Sequence, residues 1–282
     1  ESFYLAEQLI LSQYNRVKTS KPQESLDILL NGATTLLEAN QANEGGSLAN
    51  TYISEMVENK IKPDANKIGR IEGLFAIFPK EGSKQRVEFM KAAIAWTIKL
   101  GSCPHGDPRL HTELARFYDR RKEYANAHRH YVRGSRPAEH ARCVMEWASK
   151  GYPSEIDLFI ARGVLEYLCV ENLADANTFY QTCVKSLDEN KEEGGKGGED
   201  EEGNEEDDID DKRKPLLNYL SFLLQTLERD ALPLFDMLSA KYRASLLRDP
   251  AFEKYITRIA HIYFGRAAPK GMLEELMSML AV

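Results

Sequence analysis

Between Pro215 and Gly265 the chain reads PLLNYLSFLLQTLERDALPLFDMLSAKYRASLLRDPAFEKYITRIAHIYFG, and no other stretch constrains the fold as much. Leu216, Leu220, Leu223, Leu224 and Leu227 stand at i, i+4, i+7, i+8 and i+11, a single stripe of an α-helix and the mark of a face turned to a core. Tyr219 and Phe222 make a second apolar patch outside that stripe. Pro233, suited to a first-turn position, opens a second helix that aligns Leu234, Phe235, Leu238 and Tyr242. Asp249-Pro250 opens a third, stopped by Gly265, in which Phe252, Tyr255, Ile256, Ile259, Ile262 and Tyr263 again exceed one stripe. Such a surplus is either ordinary core between stacked helices or a face offered to a second polypeptide, and the pattern alone leaves both readings open.

The rest of the chain is also helical in period. From Phe3 to Leu187 apolar positions recur at three- and four-residue spacing, with breaks expected at Pro22, Gly45-Gly46, Pro63, Pro79 to Gly82, Gly101 to Pro108, Gly134 to Pro137 and Gly151 to Pro153. Sustained strand alternation is absent. At ordinary helix and loop lengths the chain has room for roughly fourteen helices. Tyr118, Ala127 and Tyr131 recur with the same spacing as Tyr167, Ala176 and Tyr180, a large ring, a small residue at a close crossing and another ring. Such a unit is a helical hairpin of the tetratricopeptide kind, and it predicts an all-α, right-handed solenoid of stacked hairpins, a fold that exposes long surfaces suited to other proteins. Two halves are expected, residues 1–150 and 151–282, the second interrupted by a flexible acidic segment over 188–214.

That segment dominates the charge. Between Asp188 and Asp211 stand fourteen acids and two lysines, a balance of −12 within a net −7, which leaves the remaining chain at +5. It has too little apolar side chain to offset the entropy of ordering. The mild positive remainder is too scattered for a nucleic-acid surface. No apolar run approaches the roughly 20 residues that span a bilayer, and the beginning, ESFYLAEQ, has no basic segment followed by an apolar one. No direct membrane insertion and a cytoplasmic location are expected. Cys103, Cys143, Cys169 and Cys183 form no CxxC pair and read as reduced, buried thiols.

Catalytic chemistry finds no purchase. Cys103, His105, Asp107 and His111 lie close in sequence, but at a spacing that fits no standard zinc template. Asp107-Pro108 reads instead as a helix start, with His111 hydrogen-bonded in the core. His128 and His130 are two apart, diverge on a helix and read as surface or packing residues. Gly194 to Gly198 lacks the strand, the Gly-Lys-Ser/Thr ending and the helix of a phosphate loop. No enzyme, no metal and no cofactor are expected. On the first helix Tyr14, Arg16 and Lys18, with Asn50, Glu55 and Glu58 beyond the Gly45-Gly46 turn, can make a mixed-charge patch, although such a pattern is usually a solvated face.

Together with Gly106-Asp107-Pro108-Arg109-Leu110-His111 and the tail Ala268-Pro269-Lys270, Met272-Leu273 and Met277-Ser278, the Pro215–Gly265 stretch resembles the scaffold subunit of the guided-entry pathway for tail-anchored membrane proteins, the Golgi to ER traffic protein four family. The likeness runs from about Tyr4 to the end. It implies a non-enzymatic helical solenoid acting as a bridge. The C-terminal half would cradle the N-terminal segment of a ubiquitin-like-domain partner, with Leu217, Tyr219, Leu220, Phe222, Leu223, Leu227, Phe235, Tyr255, Ile259, Tyr263 and Phe264 as core or partner lining. The final segment, Met272, Leu273, Leu276, Met277 and Leu280, would cap the same region. The N-terminal helices would dock on the targeting ATPase through Tyr14 and Arg16, which match the family's Tyr-x-Arg, with Lys18, Asn50, Glu55 and Glu58. Asn50 stands where related chains can carry an acid. A client-loading co-chaperone would be reached indirectly, and the gain would be effective concentration rather than catalysis. A generic helical-repeat module that captures peptide tails is the alternative reading.

Overall fold

The computed structural model describes residues 2–79, 83–194 and 205–267. Among them are fourteen α-helices, one short 3-10 turn and no strand. Contacts divide the chain into two compact units, Glu1–Phe117 and Tyr118–Val282. The first holds α1 (Ser2–Val17), α2 (Pro22–Glu38), α3 (Ala42–Glu58), α4 (Ala65–Ile77), α5 (Ser83–Leu100) and most of α6 (Pro108–Arg120). The second continues with α7 (Tyr124–Tyr131), α8 (Pro137–Ala148), the 3-10 turn Pro153–Glu155, α9 (Ile156–Cys169), α10 (Leu173–Gly194), α11 (Glu205–Glu228), α12 (Leu232–Lys241), α13 (Arg243–Leu246) and α14 (Ala251–Phe264). The break at Gly151–Pro153 is thus a turn inside the second unit. Within each unit, most helices pack on a neighbour in sequence, as α1 on α2, α2 on α3 and α9 on α10, and others on the next but one, as α3 on α5 and α8 on α10, the α-solenoid class that the periodicity predicts.

One turn recurs at five helix ends. Asn40, Lys60, Lys122, Glu171 and Asp230 follow α2, α3, α6, α9 and α11 with φ between 51° and 63°, and at each the next residue's N–H reaches back to a carbonyl of the last helical turn. Gln41 bonds to Leu36, Ile61 to Met56, Glu123 to Tyr118, Asn172 to Tyr167 and Ala231 to Thr226, at 2.9–3.2 Å. These are Schellman closures, which satisfy carbonyls that a helix end otherwise leaves bare. Tyr118 and Tyr167, the paired rings of the sequence repeat, therefore hold the same seat in the last turns of α6 and α9. The small residues of that repeat, Ala127 and Ala176, are fully buried.

Gly45 and Gly46 do not break a helix; they lie within α3. A methyl group on Gly45 would come within 2.7 Å of the Leu37 side chain, and one on Gly46 within 3.0 Å of Gln85, so the pair lets α2 and α5 lie close against α3. The chain reverses before them, at Asn40. Gly163 serves the same purpose on α9, where a Cβ would meet the Phe179 ring at 2.5 Å.

The acidic stretch has helical ends, since α10 runs to Gly194 and α11 begins at Glu205, so α11 starts ten residues before the Pro215 from which its apolar pattern reads. Gly195–Gly198 and the final segment Met272, Leu273, Leu276, Met277 and Leu280 lie outside the described residues. All five leucines of the Leu216–Leu227 stripe are buried, each contributing about 2 kcal/mol of transfer free energy. They join one core with Ile160, Val164, Leu168, Phe179, Phe235 and Phe252.

Candidate functional site

Helix α11 touches α9, α10, α12, α13 and the 3-10 turn, so it buries two faces instead of one. Tyr219, placed by the periodicity in a patch outside the stripe, is completely buried, with its ring 5.7 Å from that of Tyr242. Leu220, Leu223, Leu227, Phe235 and Ile259 are buried beside it. Leu217, Tyr255, Tyr263 and Phe264 are half-buried and pack against the same core. Phe222 alone of the eleven expected lining residues is exposed, at 46%. Most of the apolar surplus is thus consumed by this chain's own helices. Exposed apolar side chains remain at Phe222, Met237 on α12 and Leu247 after α13.

Helix α14 is held to α9 by a ladder of polar contacts. Arg162 pairs with Asp249 just before α14, Glu166 accepts the Tyr255 hydroxyl at 2.8 Å, and the Cys169 carbonyl accepts Arg258 Nε at 3.1 Å. Residues 162, 166 and 169 lie on one face of α9, which is why three bonds align. Arg248 adds an ion pair to the fully buried Asp157. Burial by itself would raise the Glu166 carboxyl, but the His128 ring, the Tyr255 hydroxyl and Arg162 outweigh it and hold its pKa at about 2. Burial, with Glu166 beside it, pushes the Tyr255 hydroxyl far up. Near the end of α14, Phe264 packs on Phe235 with ring centres 5.2 Å apart. The Tyr263 hydroxyl is buried without a hydrogen-bond partner among the described residues and is pushed up to about 12 by burial, Glu171 and Cys169.

In the first unit the expected charged patch divides in two. Tyr14 and Glu55 are buried and bond to each other across α1 and α3. Asn59 donates to the same carboxylate at 2.7 Å, and Lys18 lies 3.9 Å from it. Burial and the Glu55 carboxylate raise the Tyr14 hydroxyl. Asn50 is half-buried and returns its amide to the Gly46 carbonyl at 3.0 Å. Arg16 and Glu58 are exposed. At its other end α1 exposes Phe3, Tyr4, Leu5 and Leu9, at 41–67%, an open apolar stretch that the sequence reading missed. The signal was available, because three apolar residues in a row, Phe3 to Leu5, spread over about 200° of a helix, more than the face through Glu7 and Tyr14 can bury.

The Cys103–His111 cluster is built as a helix start. Asp107 Oδ1 accepts the Arg109 amide at 2.9 Å, and His111 is buried with Nε2 2.8 Å from the His105 carbonyl. Cys103 is exposed, unlike the other three thiols, because the loop after α5 opens onto a cleft of about 400 Å³ that Lys62, Asp64, Cys103 and Arg109 line. No group of three or more metal-ligating side chains occurs among the described residues. His128 and His130 are packing residues, both buried: His128 faces His140 and His130 stacks on Tyr118. Among the described residues no helix is long and apolar enough to cross a membrane.

Comparison with known proteins decides the family. The family model for Golgi to ER traffic protein 4 matches residues 19–281. The chain belongs to that family. It is 32% identical to Protein GET4 of Arabidopsis thaliana, over 99% of this chain and 91% of that protein, and 31% identical to the Golgi to ER traffic protein 4 homolog of Dictyostelium discoideum, over 94% and 81%. The crystal structure of C. therm. Get4 superposes with a TM-score of 0.80 at 29% identity, covering 99% of this chain and 89% of that one. The family is a component of the GET pathway, and its names point to traffic rather than to catalysis.

Proposed function

We propose that this chain is a non-enzymatic, cytosolic adaptor that binds a ubiquitin-like-domain protein through its second unit and the targeting ATPase for tail-anchored proteins through its first. It thereby shortens the hand-off of a client, delivered by a co-chaperone, for insertion into the ER membrane. The observation that carries this reading is the distribution of exposed apolar side chains in a chain of this family. One group lies on α1, at Phe3, Tyr4, Leu5 and Leu9, and another at Phe222 of α11, Met237 of α12 and Leu247 just after α13. Exposed apolar groups on a soluble surface are natural docking points. Two of them serve two partners, and tethering both raises the local concentration of one at the other.

The buried members of each set act from below. The Tyr14–Glu55 bond fixes α1 on α3 so that Arg16 and Glu58 stand outward, and the α9–α14 ladder fixes α14 so that Tyr263 and Phe264 border the C-terminal surface. Calorimetry with the ubiquitin-like partner's N-terminal segment tests the second face: Phe222→Asp weakens binding about tenfold or more, the scale of an interface anchor, at an unchanged thermal midpoint. The first face is tested by Arg16→Glu, which weakens ATPase association more at low salt than at high. Affinities indistinguishable from the unaltered chain would remove the corresponding face from the proposal.

A further inference from the structure

Two histidines that the adaptor reading leaves unused face each other inside the second unit. His128 Nδ1 lies 2.8 Å from His140 Nε2, and both rings are buried, His140 completely. A bond between two imidazole nitrogens needs one N–H and one lone pair, so it survives only while one of the rings is neutral. The surroundings decide which ring that is. On the His128 side, Nε2 stands 3.1 Å from the Glu166 carboxylate, where Arg162 and Tyr255 also converge and to which Arg133, in the turn after α7, adds its charge.

The His140 side offers no counter-charge. Its Nδ1 meets the Tyr167 hydroxyl at 3.0 Å, and the rings of Tyr131, Tyr167 and Phe179 surround it at centre distances of 4.6–5.5 Å. The acids of the neighbouring elements are engaged elsewhere. Asp119 of α6 accepts the Tyr131 hydroxyl and bears on Cys143 of α8, Glu139 of α8 bears on Tyr131, and Asp175 and Cys183 of α10 bear on Tyr167. The charge that His140 feels is that of His128, and burial with that neighbour pushes its pKa well below the ordinary value.

We propose that the His128–His140 pair is an acid-sensitive joint of the second unit: it stands while the inner ring, His140, is neutral, and a proton on His140 severs α7 from α8 and loosens the core between them. A charged ring at His140 has no carboxylate within reach to offset its loss of water. The sign follows from linkage. The unfolded chain protonates this histidine near about pH 6.5 while the folded chain resists, so the contribution is absent above that pH and becomes a growing destabilisation as acid is added.

The test compares thermal midpoints of the full chain and of His140→Gln, whose amide oxygen keeps an acceptor for His128 and does not titrate. Between about pH 7.5 and about pH 5.5 the unaltered chain loses roughly 3 °C or more relative to the variant, the shift that about tenfold of linked stability gives in a chain of this size. Parallel profiles overturn the proposal. Should the variant fail to fold, nitrogen-15 spectra of the histidine rings in the unaltered chain decide the matter. His140 then stays a neutral tautomer until the structure melts cooperatively, whereas an imidazolium at His140 formed with the fold intact overturns it.

Discussion

Each unit has a carboxylate on which bonds from several side chains converge, Glu55 in the first and Glu166 in the second, and the two are used differently. Glu55 in the first unit takes its bonds from Tyr14, Asn59 and the more distant Lys18, mainly neutral donors that tie one helix to another. Glu166 in the second takes Tyr255 directly, faces His128 at 3.1 Å and is drawn down further by Arg162, so it joins α7, α9 and α14 and depends on charge. A joint made mainly of neutral donors costs little to lose, whereas one that draws on charge in the core is strong and pH-dependent. The element that ends the described chain, α14, hangs on the second kind.

Glu166→Ala sharpens this contrast most. Left without their carboxylate, the His128 ring and the Tyr255 hydroxyl are stranded in the core, and denaturant unfolding loses about 3 kcal/mol. Equal losses from Glu166→Ala and Tyr14→Phe would break the comparison. The same carboxylate gives the second expected outcome: its pKa is depressed to about 2 in the folded chain, against about 4.3 unfolded. Its stabilisation is therefore complete above that unfolded value and is lost as the pH falls from there toward 2, a decline that Glu166→Gln abolishes when midpoints are followed down the acid range. Tyr14→Phe comes next, costing about 1 kcal/mol because Asn59 still serves Glu55. Smallest is Glu171→Gly, which relieves a side chain held at φ 63° and raises stability by about 0.5 kcal/mol. No gain there would show that the turn is not strained.

Much of the fold was legible because its determinants are local. Three- and four-residue spacing marks helices whatever their partners, and the Tyr118/Tyr167 repeat located two hairpins correctly since both rings occupy the same turn. The turns themselves were harder to see. Asn40, Lys60, Lys122, Glu171 and Asp230 take a conformation usually signalled by glycine, and the Gly45-Gly46 pair that did attract notice serves helix contact instead. Which apolar residues stay open was the least legible, because it depends on how many neighbours a helix acquires. Tyr219 and Phe222 look alike in the sequence, yet α12 and α13 enclose one and leave the other exposed. Likewise nothing in the spacing of His128 and His140 announced that α7 and α8 would bring their rings to 2.8 Å.

The five Schellman closures have a wider consequence. Each is sealed by main-chain atoms, so the closure itself does not depend on which side chain is perched on the bend. Asparagine, lysine, glutamate and aspartate already sit on equivalent bends in this one molecule. Within each unit these bends can therefore change residue, acquire a tag or accept a short inserted loop while the helices behind them keep their spacing, which makes them the places to alter this chain without rebuilding it.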